Sequence, residues 1–309
     1  MLNKYILWAI FGICSAAWSV DLEIKTMTIG AIGEIVQGKI TYLKGTDIKH
    51  GSESWYDEKG HLLHQINFVN GRKEGKETKY SIDGEVLYEA HYKNNKLEGL
   101  LQTFYPKNIL ESMIYYHEGK MQGEAKWYYD NGILSQEAHY KNNLPDGEAK
   151  EYYKNGKIAK QTFYKNGKIE GVSKSFFPDG TLQEVITYHN GVKNGLFQQY
   201  NQNGSLRVEV IYKNDVKTDK ESIYNDAGIL LIQRLYDDSK NRVEVSWFRE
   251  NGTIATQMLY ENNHAVWQKD FNELGETLLK IDCKAHSCRS GLGGVIEHGA
   301  ISLPVITYQ

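Results

Sequence analysis

A strict 24-residue period constrains the fold of this sequence more than any other feature. A turn glycine, taken here as position zero, recurs at every 24th residue from Gly60 to Gly252, and Asn108 fills the one gap. The glycines of this column are Gly60, Gly84, Gly132, Gly156, Gly180, Gly204, Gly228 and Gly252. A fixed period of this length indicates a tandem array of small supersecondary units, each packing on its neighbours.

Further columns repeat with the same period. The aromatic residues four positions before zero are Tyr56, Tyr80, Phe104, Tyr128, Tyr152, Phe176, Tyr200, Tyr224 and Phe248. The aromatic residues eight positions after zero, called here the tyrosine column, are Phe68, Tyr92, Tyr116, Tyr140, Tyr164, Tyr188, Tyr212, Tyr236 and Tyr260. A second glycine column, fifteen positions after zero, comprises Gly75, Gly99, Gly123, Gly147, Gly171 and Gly195. An aliphatic residue also lies two positions after every zero from Leu62 to Ile254.

Each unit has the pattern of a β-hairpin. Two strand-like runs are separated by turn sequences such as Asn166-Gly167 and Asp179-Gly180, which are typical of hairpins. Aromatic and β-branched residues are frequent and glycine recurs throughout, so a helix is disfavoured. The sequence therefore predicts an all-β protein, folded as an elongated, twisted antiparallel sheet of tandem 24-residue β-hairpin repeats.

The parity of the columns predicts the length of the loop at position zero. With a two-residue loop, the aromatic residues at −4 and +8 would lie on opposite faces of the sheet. A three-residue loop that ends in a left-handed residue would place both columns on one face, and glycine or asparagine tolerates that conformation. We therefore expect three-residue loops and a sheet with one aromatic-rich face.

Composition supports a thin sheet and limits the class of partner. The chain has 22 Tyr and 29 Gly but only 4 Pro, and its formal net charge is −3. This aromatic content is too high for a disordered chain. The mildly acidic, mixed charge gives no basic footprint for nucleic acid, so we expect no nucleic-acid partner.

The first nineteen residues have the features of a cleaved export signal. Lys4 precedes an uncharged run that extends from Tyr5 to Val20, and Ala17 and Ser19 are small residues placed for cleavage before Val20. An uncleaved membrane anchor is the alternative, but the run is shorter than the ~20 residues that a spanning helix needs. We expect a periplasmic, cell-surface or secreted protein, with membrane anchoring through this segment as the alternative.

The repeat units resemble the MORN-repeat-variant family, whose bacterial members are often labelled YwqK-type antitoxin repeat proteins. The resemblance is carried by segments such as Tyr152-Tyr153-Lys154-Asn155-Gly156-Lys157-Ile158 and the run from Tyr164 to Gly171, and it covers roughly residues 40–280. It implies a MORN-like sheet of hairpins. It also implies protein–protein or membrane-proximal binding and, in some members, an antitoxin or immunity role.

These features divide the chain into four parts. Residues 1–19 are the predicted signal peptide, and residues 20–55 are an N-terminal cap with a partial repeat. Residues 56–280 hold about nine MORN-like β-hairpin repeats, and residues 281–309 form a C-terminal cap with a cysteine pair.

The C-terminal part leaves the repeat pattern. Cys283 and Cys288 form an even pair, and in an exported protein such a pair favours a local disulfide over free thiols. Zinc bound with His286 and His298 is the alternative, although the spacing is atypical. Residues 299–308 alternate apolar side chains, and we expect this run to pair with the last exposed strand.

Catalytic motifs are lacking in the sequence. There is no phosphate-binding loop, G-x-S-x-G elbow or metalloprotease motif. His91 and His139 occupy equivalent repeat positions and have no acid or nucleophile at fixed spacing. The tyrosine column could stack sugars or bases or contact lipid, but cross-strand packing explains a uniform column more simply. We therefore predict no catalytic residue, no cofactor and no metal.

The predicted function is that of a non-enzymatic exported repeat scaffold that mediates protein–protein interaction. A toxin-neutralising antitoxin or immunity protein is one alternative. A membrane- or envelope-associated, lipid-proximal binding protein is the other. The expected partner is a protein, with a membrane surface as the alternative.

Overall fold

The computed structural model describes residues 20–31 and 34–283. The chain divides into two compact units, Met1–Glu98 and Gly99–Gln309. In the described residues of both units the regular secondary structure is β-strand, so the predicted all-β class is confirmed.

The first unit is a series of antiparallel strands. Every strand pairing described within it is antiparallel. Its strands are β1 (Leu22–Ala31), β2 (Glu34–Leu43), β3 (Lys49–Tyr56), β4 (Leu62–Val69), β5 (Arg72–Lys73), β6 (Gly75–Tyr80), β7 (Val86–Lys93) and β8 (Lys96–Leu97).

The second unit continues the same hairpin repeat, with two short 3-10 turns at Pro106–Asn108 and Asp238–Lys240. Its strands are β9 (Gly99–Tyr105), β10 (Ile109–His117), β11 (Lys120–Tyr128), β12 (Leu134–Lys141), β13 (Leu144–Tyr152), β14 (Ile158–Lys165), β15 (Lys168–Ile169), β16 (Gly171–Phe176), β17 (Leu182–His189), β18 (Val192–Tyr200), β19 (Leu206–Lys213), β20 (Val216–Tyr224), β21 (Leu230–Asp237), β22 (Arg242–Phe248), β23 (Ile254–Glu261), β24 (His264–Phe271) and β25 (Thr277–Asp282). No helix in this unit or in the rest of the described chain is long and apolar enough to cross a bilayer.

The loop at position zero has three residues, as predicted. In the hairpin of β13 and β14, the Tyr153 amide donates to the Lys157 carbonyl at 2.9 Å, and the Gly156 amide donates to the Tyr153 carbonyl at 2.8 Å. These bonds leave a loop of residues 154–156. Gly156 ends the loop with a φ of +82°, and Asn108 adopts +56° at the equivalent position. The zero column therefore selects residues that tolerate a left-handed backbone.

A β-bulge follows this loop and adds one residue to the second strand of the hairpin. Tyr152 is paired with Ile158, whereas the preceding Glu151 is paired with Lys160, so Ala159 has no partner of its own. The same register shift occurs in the hairpins β6–β7, β11–β12, β16–β17 and β18–β19. A single extra residue exchanges the faces to which all later side chains of that strand point.

The predicted single aromatic-rich face is wrong because of this bulge. Tyr164 lies opposite Gly147, which precedes Tyr152 by five residues. Side chains alternate between faces along a strand, so an odd separation places Tyr152 and Tyr164 on opposite faces. We call the face with the tyrosine column the tyrosine face. The other, with the aromatic residues at −4 and the aliphatic residues at +2, is the reverse face.

The core of the sheet is a row of small or aliphatic side chains on the tyrosine face. Ala125 and Ala138 are paired across β11 and β12, and they are 1% and 3% exposed. The rings of Trp127 and Tyr140 lie on the same face of the sheet. Their centroids are 6.2 Å apart, in an edge-to-face arrangement. Large aromatic side chains on either side of a small one can therefore exclude water without a second sheet or helix.

Successive turns at the other edge are joined by backbone hydrogen bonds. Asn166 and Gly167 form a two-residue turn between the paired Lys165 and Lys168. The Gly167 amide donates to the Pro145 carbonyl at 2.8 Å. The equivalent bond in the first unit runs from the Asn95 amide to the Lys73 carbonyl at 3.0 Å. Each turn thus satisfies backbone groups of the preceding repeat.

A tyrosine three positions before zero joins consecutive repeats of the second unit at the loop edge. The Tyr129 hydroxyl donates to the Tyr152 carbonyl at 2.6 Å, and the Tyr153 hydroxyl donates to the Phe176 carbonyl at 2.6 Å. Tyr105 makes the same contact with the Tyr128 carbonyl at 3.2 Å. In these three repeats, the tyrosine therefore joins the loop to a strand of the following repeat.

Several sequence predictions depend on residues that lie outside the described ranges. The signal peptide at residues 1–19 lies outside them, and so do Cys288 and the rest of the tail from residue 284 onward. The disulfide of Cys283 with Cys288, the strand at residues 299–308 and the domain boundaries therefore stay predictions.

Removing the Tyr153 hydroxyl tests the join between repeats. We expect Tyr153→Phe to lower the free energy of unfolding by about 0.5–1.5 kcal/mol, because one intramolecular hydrogen bond is lost. Tyr115→Phe is the matched control: Tyr115 is 44% exposed and its hydroxyl bonds to no other described residue. Urea denaturation measures both. Equal values for the two variants would show that the hydroxyl contact does not stabilise the array.

Candidate interaction surface

The reverse face of the second unit carries an exposed row of apolar side chains. Its members lie either directly after a residue of the second glycine column or directly before a residue of the tyrosine column, and each is far more exposed than the core residues. They are Phe163 (48%), Val172 (49%), Leu196 (39%), Ile211 (40%) and Leu235 (43%). We call this set the apolar row.

The strand register makes the apolar row continuous across several strands. Leu196 on β18 is paired directly with Ile211 on β19. Phe163 on β14 and Val172 on β16 lie side by side, since the register that pairs Gln161 with Lys174 extends to them. From β14 to β21 the row crosses strands spaced ~4.8 Å apart, which gives a length of roughly 30 Å. Only Thr187 and Lys220 interrupt it.

The row is partly concave. A shallow depression of about 230 Å³ lies between Phe163 and Val172, with Lys174, Glu148 and Gln161 also lining it. Its floor is apolar, while its rim offers both a cation and hydrogen-bonding groups. A depression of this kind suits an apolar side chain of a bound partner better than a small-molecule substrate, because it is open and small.

Basic side chains flank the apolar row on the same face. Lys165 and Lys213 each lie two residues beyond a member of the row, Phe163 and Ile211, and both are exposed. Lys141 occupies the same position in another repeat, and so does His189, whose Nδ1 lies 2.9 Å from the Glu170 carboxylate. The row therefore presents apolar surface beside positive charge, which fits a partner that combines apolar and acidic side chains.

The tyrosine face of the second unit has a different chemistry. Burial raises the pKa of the hydroxyl in five successive or neighbouring tyrosines, so all of them are neutral at physiological pH. They are Tyr116, Tyr140, Tyr164, Tyr188 and Tyr212. None of these five hydroxyls is hydrogen-bonded to another described residue. They form a regular line of neutral hydroxyls above the core row.

A buried ion-pair cluster on the tyrosine face of the second unit lies near its C-terminal half. The Glu221 carboxylate is 4% exposed and contacts Lys217 Nζ at 2.6 Å and Arg234 Nη1 at 2.8 Å. The Tyr236 hydroxyl donates to it at 2.9 Å. Burial opposes ionisation of Glu221, but the two cations outweigh it and lower its pKa. The cluster is fully paired and is therefore a structural element.

The first unit repeats this cluster around Glu77. The carboxylate is 3% exposed and lies 2.8 Å from His64 Nε2 and 3.4 Å from Lys73 Nζ. Burial opposes ionisation, but the hydrogen bond to His64 and the charge of Lys73 outweigh it and lower the Glu77 pKa to about 2. Burial raises the pKa of the nearby Tyr92 hydroxyl, and the hydrogen bond with the Tyr88 hydroxyl and the charge of Glu77 raise it further.

Sequence reasoning missed these clusters, although a signal was present. A lysine four residues before a glutamate recurs at the same repeat position in three copies, as Lys49–Glu53, Lys73–Glu77 and Lys217–Glu221. Position −7 belongs to the core row, where most copies carry an apolar or small residue. A charged pair that recurs at a core position indicates a buried ion pair.

The structure separates the residues that the sequence singled out. The aromatic residues at −4, such as Tyr80 and Tyr152, lie on the reverse face, and those at +8, such as Tyr92 and Tyr164, lie on the tyrosine face. The residues of the second glycine column lie opposite the tyrosine column, as Gly171 does opposite Tyr188. Within residues 20–31 and 34–283, no group of three or more His, Cys, Asp or Glu side chains is arranged to hold a metal ion.

Six segments of the chain match the family model of the MORN repeat variant. They are residues 49–70, 73–94, 121–142, 145–166, 169–190 and 193–214. The protein belongs to the MORN repeat variant family. MORN repeats are protein- and membrane-binding motifs, and the family is a repeat scaffold that is not a known enzyme family. The apolar row of this MORN-repeat protein lies mostly within its last three matched segments.

No curated protein matches the chain significantly. Among solved structures, the chain is similar to the Photorhabdus luminescens Tc holotoxin pore, at 12% identity and a TM-score of 0.19, and to a TcdB2–TccC3–TEV structure, at 12% and 0.16. The alignments cover 84% and 85% of this chain but only 18% of each matched chain. Such TM-scores carry no argument about fold or function.

Removal of the Glu77 charge tests the buried cluster. Because the folded-state pKa of about 2 lies below the ordinary value of 4.5, the carboxylate stabilises the fold above about pH 4.5. That contribution is lost as the pH falls toward 2. We expect Glu77→Gln to reduce the free energy of unfolding at pH 7 by about 1–3 kcal/mol, with the difference from the parent shrinking below about pH 4.5.

Urea denaturation at a series of pH values measures this difference. The exposed Glu273→Gln is the control, and it should leave the pH dependence unchanged. A Glu77→Gln effect that is constant from pH 7 to pH 2.5 would show that the carboxylate charge does not stabilise the fold.

Proposed function

We propose that this MORN-repeat protein is a non-enzymatic, exported scaffold that binds another protein through the apolar row on its reverse face. The observation that carries this proposal is the row itself. Phe163, Val172, Leu196 and Ile211 are 39–49% exposed on adjacent or neighbouring strands of a family whose repeats bind proteins or membranes. Isolated apolar side chains are common on surfaces, but a continuous apolar row is typical of an interaction site.

The residues around the apolar row favour a protein partner that presents both apolar and acidic side chains. An extended segment or helix that places apolar side chains along the row would bring its own acidic side chains next to Lys165 and Lys213. Opposite charges at the rim of an interface raise the association rate and fix orientation. Packing at the centre supplies most of the affinity. Lys4, the uncharged run and the small residues before Val20 support the export part of the proposal.

The proposed scaffold needs no chemistry of its own. Glu77 and Glu221, two buried carboxylates whose pKa values are lowered, are each paired with a cation on the tyrosine face. The two faces therefore have separate roles in this proposal. The tyrosine face stabilises the sheet, and the reverse face of the second unit contacts the partner.

An affinity pull-down with charge-substituted variants tests this function. The chain from residue 20 onward is used as bait against envelope and secreted fractions of the source cell, read by mass spectrometry. We expect one stoichiometric protein partner that is lost, with at least a tenfold drop in recovery, in the double variant Leu196→Asp/Ile211→Asp. A charge placed in a desolvated apolar contact costs far more than the same charge in water.

The control is Ile82→Asp, which places an aspartate at a 71%-exposed loop residue of the first unit that is not a member of the row. It should retain the partner, and circular dichroism should show that all variants keep the parent fold. Recovery of the partner by Leu196→Asp/Ile211→Asp at the parent level would contradict the proposal. Recovery of lipid or membrane fragments in place of a protein would also contradict it and would favour a membrane-associated role.

A further inference from the structure

The loop edge of the second unit has a cavity at a point where the tyrosine join between repeats is interrupted. The cavity is open, measures about 690 Å³, and is lined by residues around the loop that ends at Gly204 and the loop that ends at Gly228. Asn201 is one of its lining residues, three positions before Gly204. This is the repeat position that Tyr153 occupies in an earlier hairpin. The cavity therefore lies where the repeat lacks a tyrosine side chain.

The backbone carbonyl four positions before zero accepts a side-chain hydrogen bond in several repeats. The Tyr153 hydroxyl donates to the Phe176 carbonyl at 2.6 Å. Near the end of the array, Arg249 takes the place of the tyrosine, and its Nη2 donates to the Phe271 carbonyl at 2.5 Å. Two donors of different shape thus bind the same carbonyl of the repeat. This position therefore favours a hydrogen-bond donor, whichever residue supplies it.

Asn201 does not make this contact. Its side-chain nitrogen donates to Ser205 Oγ at 2.9 Å, within its own loop, and an asparagine side chain is shorter than a tyrosine side chain. The equivalent carbonyl in the next repeat is that of Tyr224, which also lines the cavity. The cavity therefore combines the space of an absent phenol ring with the carbonyl that its hydroxyl would bind.

The walls of the cavity favour an aromatic ring. Ile223 and Leu231 line it, and both are half-buried. In the pair of loops that Tyr153 joins, Ser175 and Gln183 occupy these two positions. A flat ring placed between two aliphatic side chains removes apolar surface from water on both of its sides. The cavity therefore has more apolar walls than the place that holds an internal tyrosine.

The charges around the cavity favour a neutral ligand. Arg207 and Asp226, which have opposite charges, both line it. A phenol has an ordinary pKa of about 10, so it enters the cavity uncharged at neutral pH and still donates a hydrogen bond.

We propose that this cavity binds the phenol ring of a tyrosine side chain in a bound peptide. The ring lies between Ile223 and Leu231, and its hydroxyl donates to the Tyr224 carbonyl. The protein binds its own tyrosines in this way at three equivalent places. No member of the apolar row lines the cavity, so this inference is independent of the partner proposed for the reverse face.

Titration of the full chain with small probes, followed by NMR of the Ile223 and Leu231 methyl groups, tests the inference. The probes are N-acetyltyrosinamide, N-acetylphenylalaninamide and p-cresol, which is the isolated tyrosine side chain. We expect N-acetyltyrosinamide to shift both methyl signals. It should bind about threefold to tenfold more tightly than N-acetylphenylalaninamide, because the hydroxyl contributes one hydrogen bond. This comparison needs no variant of the protein.

A variant that supplies the absent side chain tests the location of the site. We expect Asn201→Tyr to lower the affinity for N-acetyltyrosinamide at least tenfold and to raise the urea midpoint, because the internal ring fills the cavity. Gln202→Tyr is the matched control, since it places the same residue at the adjacent, exposed loop position. It should keep the parent affinity. Leu196→Asp/Ile211→Asp should also keep it, which distinguishes failure of this site from failure of the apolar row.

Four results would overturn the inference. Equal affinities for the tyrosine and phenylalanine amides would show that the hydroxyl makes no contact with the Tyr224 carbonyl. Binding of p-cresol without N-acetyltyrosinamide would assign the cavity to a free phenol and not to a peptide. Parent-level affinity in Asn201→Tyr would place the ligand elsewhere. Unchanged Ile223 and Leu231 signals with every probe would show that the cavity binds no phenol.

Discussion

The fold depends on how a sheet without a covering layer keeps water from its centre. Each repeat contributes small or aliphatic side chains to one row of the tyrosine face, and large aromatic side chains lie on either side of that row. Ala125 and Ala138 show the principle: both are almost fully buried although their side chains are single methyl groups. The rings of Trp127 and Tyr140 provide the cover. The small core residues are therefore buried by neighbouring side chains on the same face of the sheet, and not by a second layer of structure.

This arrangement explains why the columns of the sequence are so regular. A tyrosine that covers the row in one repeat also borders the row of the next, so each repeat needs the same residue at the same place. The loops add a second constraint, because the hydroxyl of Tyr129 or Tyr153 bonds to the strand of the following repeat. Where the row carries glutamate, as at Glu221, the neighbouring repeat positions supply Lys217 and Arg234. A charged side chain in the core row is therefore accompanied by side chains of opposite charge.

The sequence predicted the class, the hairpins and the three-residue loops because these depend on glycine and asparagine at turns. Gly156 and Asn108 are recognisable for the left-handed backbone they adopt. The assignment of faces failed because the bulge residue has no chemical signature. It is Leu87 in one repeat, Ser135 in another and Ala159 in a third. The apolar row was missed for a related reason: Phe163, Val172 and Leu196 share a face only after the bulge is counted.

The face assignment is the central claim, because the roles of the two faces follow from it. A double-mutant cycle on Trp127→Ala and Tyr140→Ala, measured by urea denaturation, tests it most directly. Because the two rings are in edge-to-face contact on the tyrosine face, with centroids 6.2 Å apart, the account predicts a coupling free energy of about 0.5–1.5 kcal/mol. If Tyr140 shared a face with the aromatic residue at −4, Tyr128, it would lie on the other side of the sheet from Trp127. Additive effects of the two substitutions, with no coupling, would contradict the account.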